Sequence, residues 1–152
     1  MAGLEETSYH LALRALEEQE RLLSELRTRT GTLITAASLI ASFVGAQSLA
    51  RGGLDLWTGS GLLAFSASLA LSVYVLLPKE GLIFALDGPE AYVALYEVRG
   101  DEPEIFRRLT YWLQGFRAKN QTTIARLTRR FTFAGLALLL EIALLAVGFA
   151  VD

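Results

Sequence analysis

The chain has no cysteine and only one histidine. Without cysteine there is no disulfide framework, no thiolate nucleophile and no cysteine-ligated metal. His10 has no second His or Cys to join it, so it reads as a solvated helix side chain rather than a metal ligand. Neither a metal nor a cofactor is expected. Proline is scarce as well: there are three in 152 residues, and none precedes Pro78. Charge of one sign is also missing, with 14 Lys and Arg against 16 Asp and Glu, a net charge of −2 and a pI near 5.5. That balance lacks the basic face that nucleic acid requires, so nucleic acid is set aside as a partner. The glycines in "GTLITAAS" and "GSGLL" stand without the Lys-Ser/Thr pair or the strand context of a phosphate loop. No catalytic constellation emerges, and the chain is not expected to be an enzyme.

What the chain does have is apolar length. Hydrophobic residues make up 53% and the mean hydropathy is +0.40, yet 20% of residues are charged. Such a mixture implies separation into greasy spans and charged blocks. Residues 32–50 and 57–77 carry no charge, and residues 131–151 carry only Glu141. Windows of about twenty apolar residues suit ~30 Å of hydrocarbon at ~1.5 Å per residue, and are too long for a helix with one wet face. The expected fold is therefore all-α: an integral membrane protein forming a single membrane domain over 1–152. It comprises a cytoplasmic amphipathic helix over 1–30, spans at 31–50, 57–77 and 131–151, and cytoplasmic helices over 78–130. The lipid bilayer is its first partner. The first span is not read as a cleaved signal peptide, because about thirty residues rich in Glu and Arg precede it.

Orientation follows from the positive charges. Arg14, Arg21, Arg27 and Arg29 precede the first span, only Arg51 lies in "RGGLD", and nine Lys or Arg fall between Lys79 and Arg130. This bias places the amino terminus and 78–130 in the cytoplasm and the terminal "VD" outside, with Trp57 as an outer interfacial anchor. In the leading segment Tyr9, Leu13, Leu16, Leu23 and Leu26 recur at helical spacing, and no proline separates them from the first span. "KEGLIFALDGP" reads as an extended connector, with Gly88 and Pro89 as a turn. Asp101 is a candidate helix cap, with Pro103 tolerated in the first turn. From there a stripe of Ile105, Leu109, Trp112, Phe116, Ile124, Leu127 and Phe131 leads into the third span as one long helix. Each amphipathic stripe needs a partner, which implies a cytoplasmic helical bundle, within a protomer or between protomers.

Glu141 is the candidate functional residue. It lies eleven residues into the third span, near the midplane, at a depth similar to Ser38 and Ser42 in the first span and Ser66 and Ser68 in the second. No Lys or Arg lies within the spans to pair with it, so the acid either is protonated or meets water or polar side chains. Two roles follow. The serines and Glu141 could form a polar layer that lines a pore or binds an ion; alternatively Glu141 donates a hydrogen bond that glues helices or subunits together. Small residues repeat every four positions as Ala37, Ala41 and Gly45, as Ser38, Ser42 and Ala46, and as Ala64, Ser68 and Ser72, a pattern that lets helices approach. The clusters "RRLTYW" and "TRRF" read as inside anchors of the third span and exposed helix charges, with phosphate groups of a ligand or lipid head groups as the other assignment.

The order "RTRTGTLITAASLIASFVGAQ", then "LLPKEG", "GPEAYVALYEV" and "YWLQGFRAKNQTTIARLTRRFTFAGLALLLEIAL", resembles the Pycsar effector transmembrane family and, more distantly, the SLATT family. The resemblance covers nearly the whole chain in layout. It implies a homo-oligomeric effector of antiphage defence that impairs the bacterial inner membrane when a cyclic nucleotide signals infection. No β-rich sensor is recognisable, so sensing would fall to a cytosolic partner protein, to the cytoplasmic helices, or be absent. Composition alone fits two other functions: a small ion or proton transporter using Glu141, and a non-catalytic scaffold that docks a cytosolic partner.

Overall fold

The computed structural model describes residues 3–50, 56–86, 88–96 and 101–151. Within them lie four helices: α1 (Leu4–Ala50), α2 (Leu56–Leu76), α3 (Gly88–Tyr96) and α4 (Glu102–Val151). No strand occurs among the described residues. The loop 51–55 with Arg51, and the positions of Arg99 and Asp152, lie outside them. α1 runs 47 residues without a break because nothing in it removes a backbone donor, and Glu5 and Glu6 sit in its first turn, where the helix dipole favours acids. α4 runs 50 residues. At ~1.5 Å per residue each rod exceeds 70 Å, more than twice the hydrocarbon thickness. α1, α2 and α4 are each long and apolar enough to cross a membrane.

One local expectation is corrected. Gly88 and Pro89 do not form a turn ahead of a helix; they are the first residues of α3. Proline has no N–H to leave unsatisfied in a first turn, and its fixed φ already matches the helix.

The packing of the long helices repeats every seven residues. In α1 the buried positions include Leu16, Leu23, Thr30, Ala37 and Val44; in α4 they include Leu113, Asn120, Leu127, Ala134 and Glu141, with Gly148 next in register. A strict seven-residue repeat keeps one seam of a slightly overwound helix turned toward its neighbours. Leu16, Leu23 and Leu127 of the sequence stripes lie on this seam, whereas Ile105, Leu109 and Phe116 flank it half-buried and Trp112 is exposed.

The chain divides into two compact units. The first comprises residues 1–24 and 79–125. Leu16 and Leu113 are wholly buried in it, the Tyr9 and Phe106 rings lie 5.5 Å apart, and Gln19 Nε2 donates to the Arg117 carbonyl at 3.1 Å. The connector after α2 turns at Gly81, whose φ of 81° is the left-handed region where a Cβ is strained. It is then tied to α4 at two points: Asn120 Nδ2 donates to the Ile83 carbonyl at 2.7 Å, and the Ile83 N–H donates to Asn120 Oδ1 at 3.1 Å. At the start of α4, Asp101 Oδ1 accepts from the Glu104 N–H at 3.3 Å, so Asp101 is the cap. Glu104 in turn pairs with Arg108 and Arg107. The Arg108 hydrogen bond first, and then the one from Arg107, hold the Glu104 carboxyl below its ordinary value of 4.5.

A lowered folded-state value means that Glu104 contributes stability above the unfolded value, and that this is lost as pH falls below about 4.5 toward the folded one. Glu104→Gln is therefore expected to lower the thermal midpoint of unfolding slightly at pH 7 and to match the parent in acid below that range. Paired melts across pH check this; a difference persisting unchanged at low pH contradicts it.

The second unit comprises residues 25–78 and 126–152. α2 turns Gly61, Ala64, Ser68, Ser72 and Val75 inward. It runs antiparallel to α4, since the Arg130 guanidinium lies 3.6 Å from the Tyr74 ring centre, Ser68 Oγ donates to the Ala134 carbonyl at 2.9 Å, and Gly61 faces Leu145. α1 runs parallel to α4, with Leu33 beside Gly135 and residues Leu39 to Val44 level with Ile142 to Ala146. Gly61 is the close approach, because a Cβ there would stand 2.6 Å from Leu145 Cδ2 and 2.9 Å from its Cγ. Gly61→Ala is thus expected to cost about 1–3 kcal/mol of stability through overpacking, and Gly61→Ala with Leu145→Ala to recover part of it. Thermal melts of the two variants would test this; an unchanged melt for Gly61→Ala contradicts it. The outer surface of this unit is apolar, with Leu39, Phe43, Leu63, Leu136, Leu139 and Leu140 exposed.

Candidate functional site

Glu141 lies on the α4 seam one repeat beyond Ala134, and none of its surface is exposed. Its level on the other helices follows from the contacts that bracket it. On α2 it falls between Ser68, bonded opposite Ala134, and Gly61, packed opposite Leu145; the buried residue between them is Ala64. On α1 it falls beyond Leu33 and near the start of the Leu39 to Val44 stretch, where the buried residue is Ala37. Alanine at both levels leaves room for a glutamate side chain where larger side chains would exclude it. Seam position and small neighbours together hold the carboxyl inside the unit.

Neither carboxyl oxygen has a hydrogen-bond partner. Ser68, the buried serine nearest in sequence register, has committed its hydroxyl proton to the Ala134 carbonyl. Ser72 is fully buried too, and its hydroxyl oxygen is likewise without a partner. Glu141 on α4 and Ser72 on α2 are thus both unmatched polar groups inside the unit. Thr30 on α1 is also buried, with its hydroxyl donating to the Leu26 carbonyl at 2.7 Å.

The other serines of the expected polar layer lie elsewhere. Ser66 is exposed and donates to the Leu62 carbonyl at 2.9 Å; Ser42 is exposed and donates to the Ser38 carbonyl at 2.7 Å; Ser38 itself is half-buried. Each of the two exposed hydroxyls is satisfied by its own helix, which permits it to face an apolar medium. Of the residues singled out in sequence, Glu141 and Ser68 are thus brought into the interior, and Ser42 and Ser66 are left outside. Ser72 and Thr30 join the interior unannounced, although the four-residue row Ala64, Ser68 and Ser72 had marked one of them as a packing residue.

Chemically the site offers one carboxyl in a dry interior. An ionised carboxylate there is an uncompensated charge, and a neutral acid has a proton with no acceptor, so either form gains by meeting water, an ion or a polar group. Among the described residues, no three His, Asp or Glu stand close enough to hold a metal. Beside the site, on the outer surface of α1 and α4, an apolar groove of about 460 Å³ is lined by Leu39, Phe43, Val44, Ile142 and Leu145. Against known protein families, curated proteins and solved structures, the chain shows no match.

Proposed function

We propose that the protein is an integral membrane protein of the bacterial inner membrane that assembles into homo-oligomers and permeabilises the bilayer, with Glu141 as the residue on which opening depends. The observation that carries this is the buried carboxyl with both oxygens unpartnered, inside a helix long enough to cross the bilayer. Intramembrane acids are costly, and an acid that no helix partner compensates has a role outside packing. The helix exteriors support the membrane location: 17%, 28% and 22% of the most apolar windows of α1, α2 and α4 are buried within the chain. Surface of that kind requires lipid or another apolar partner. The Lys and Arg bias supports an orientation with the amino terminus and the first unit in the cytoplasm, where a cytosolic sensor protein or a cyclic nucleotide could reach it, and the carboxyl terminus outside. The resemblance to Pycsar effector transmembrane proteins points to membrane damage in antiphage defence.

The test is ion or dye release from liposomes holding the purified protein, beside Glu141→Gln, with subunit number measured in the same detergent. Release that is lost while the oligomer persists supports the proposal. No release from either form contradicts it and favours a scaffold. The unpartnered Ser72 hydroxyl in the same interior favours a second reading, in which Glu141 carries protons through the unit. Proton flux that depends on pH, without dye release, is its signature.

A further inference from the structure

Charge is unevenly shared between the two units. The first holds twelve acidic and eight basic residues, whereas the second holds four acidic and six basic. Five of those six are Arg27 and Arg29 on α1 and Arg126, Arg129 and Arg130 on α4. Gly135 lies beside Leu33, and counting back along the two parallel helices sets Arg27 level with Arg129. The five therefore form a collar at one end of the apolar part of the unit. Glu25 on α1, an acid at this level, is engaged by Arg29.

All five of these residues are arginine, although lysine would serve equally well as a mere positive anchor. Arginine differs in its planar fork, which binds phosphate through two parallel hydrogen bonds. Two of the five are set into the protein rather than splayed from it. Arg27 is half-buried, with its Nε enclosed and unpartnered. Arg130 is half-buried over the Tyr74 ring, and a guanidinium that offers a face to a ring keeps its edge donors for another acceptor. Arg129 lies 5.5 Å from the centre of the Phe133 ring. Among the described residues, no carboxylate pairs with Arg27, Arg126, Arg129 or Arg130.

We infer that this collar is a binding site for an anionic phospholipid headgroup, with Arg27 and Arg130 as the forks that hold its phosphate. The inference rests on the membrane location proposed above, because only in a bilayer does this end of the apolar region coincide with the phosphate layer. It does not rest on permeabilisation.

The test uses the full chain in a neutral detergent, with phosphatidylglycerol, phosphatidylcholine or inorganic phosphate added, and flotation with vesicles of the same lipids run alongside. Phosphatidylglycerol is expected to raise the unfolding midpoint by on the order of 5 °C near saturation, with no comparable rise from the other two. Arg27→Gln with Arg130→Gln should float with vesicles and lose that rise. Arg27→Lys with Arg130→Lys should lose most of it, since the charge stays but the fork goes. An equal rise with phosphatidylcholine, or the full rise kept by the lysine variant, overturns the site while leaving the membrane location intact. A full rise from inorganic phosphate overturns the lipid as its ligand. Failure of the parent protein to float overturns the membrane location and the site with it. If the double glutamine variant does not fold, Arg130→Gln alone should lose at least half of the rise, and an unchanged rise overturns the assignment.

Discussion

Glu141→Leu is expected to stabilise the protein and to abolish the permeabilisation proposed for it. Both carboxyl oxygens are buried without a partner, and a buried unsatisfied group costs about 1–3 kcal/mol, more when charged. Leucine is of similar size and suits a seam whose neighbouring levels are Ala37, Ala64 and Ala134. Replacing a buried ionisable group by a packed apolar one is commonly neutral or stabilising, and the loss then appears in function. A gain of about 2 kcal/mol would move the unfolding midpoint upward by about 4–8 °C for a chain of this length. Thermal unfolding in detergent and release from liposomes, on the same preparations, read the two effects separately. A lower midpoint with smaller oligomers would instead identify Glu141 as the bond that holds helices or subunits together.

Asn120→Leu is expected to cost about 2–3 kcal/mol in the first unit. It removes both hydrogen bonds to Ile83, at 2.7 and 3.1 Å, and strands a carbonyl and an N–H that lie half out of solvent. The connector after the turn at Gly81 then loses its hydrogen bonds to the Asn120 side chain of α4, so the loss should be local as well as global. Amide exchange at Ile83 is expected to rise sharply, ahead of any change at Leu113. Gln121→Leu, at an exposed neighbouring position, should stay within about 0.5 kcal/mol of the parent. Equal protection of Ile83 in Asn120→Leu and parent would show that the connector is held by other contacts.

The long elements were legible because their determinants are additive along the chain. No proline interrupts 4–50, so α1 continues from the charged segment into the apolar one, and the Asp101 cap and Pro103 mark the start of α4 as expected. The seam was legible only in part: Leu16 and Leu23 of the first stripe and Leu127 of the second lie on it, but its small and polar members stood outside both stripes. A stripe of large apolar side chains drew attention to Ile105, Leu109, Trp112 and Phe116, whereas the buried line includes two polar residues and one small one, Asn120, Glu141 and Ala134. Within the apolar windows every face is hydrophobic, so periodicity carries no contrast there. What distinguishes the inner face is size and hydrogen bonding, as Gly61, Ala64, Ser68 and Ser72 illustrate.

The serines divide for the same reason. A serine can return its proton to the carbonyl four residues back, so polarity alone does not force Ser42 or Ser66 inward. A glutamate has no such internal solution as a carboxylate, which is why the position of Glu141 was the more readable of the two. Ser68 turns in because Ala134 offers it a carbonyl across the helix pair, a long-range fact that spacing cannot contain.

The exterior of leucine, valine and phenylalanine has a consequence for how copies would find one another. Lipid chains are as apolar as Leu39, Phe43, Leu63 or Leu140, so exchanging lipid for a second copy releases little hydrophobic free energy. If the chain assembles in a bilayer as proposed, encounter would follow mass action in two dimensions, governed by the number of protein molecules per lipid. Expression level would act as the threshold: sparse copies dispersed and quiet, crowded ones assembled, with no change in the chain itself.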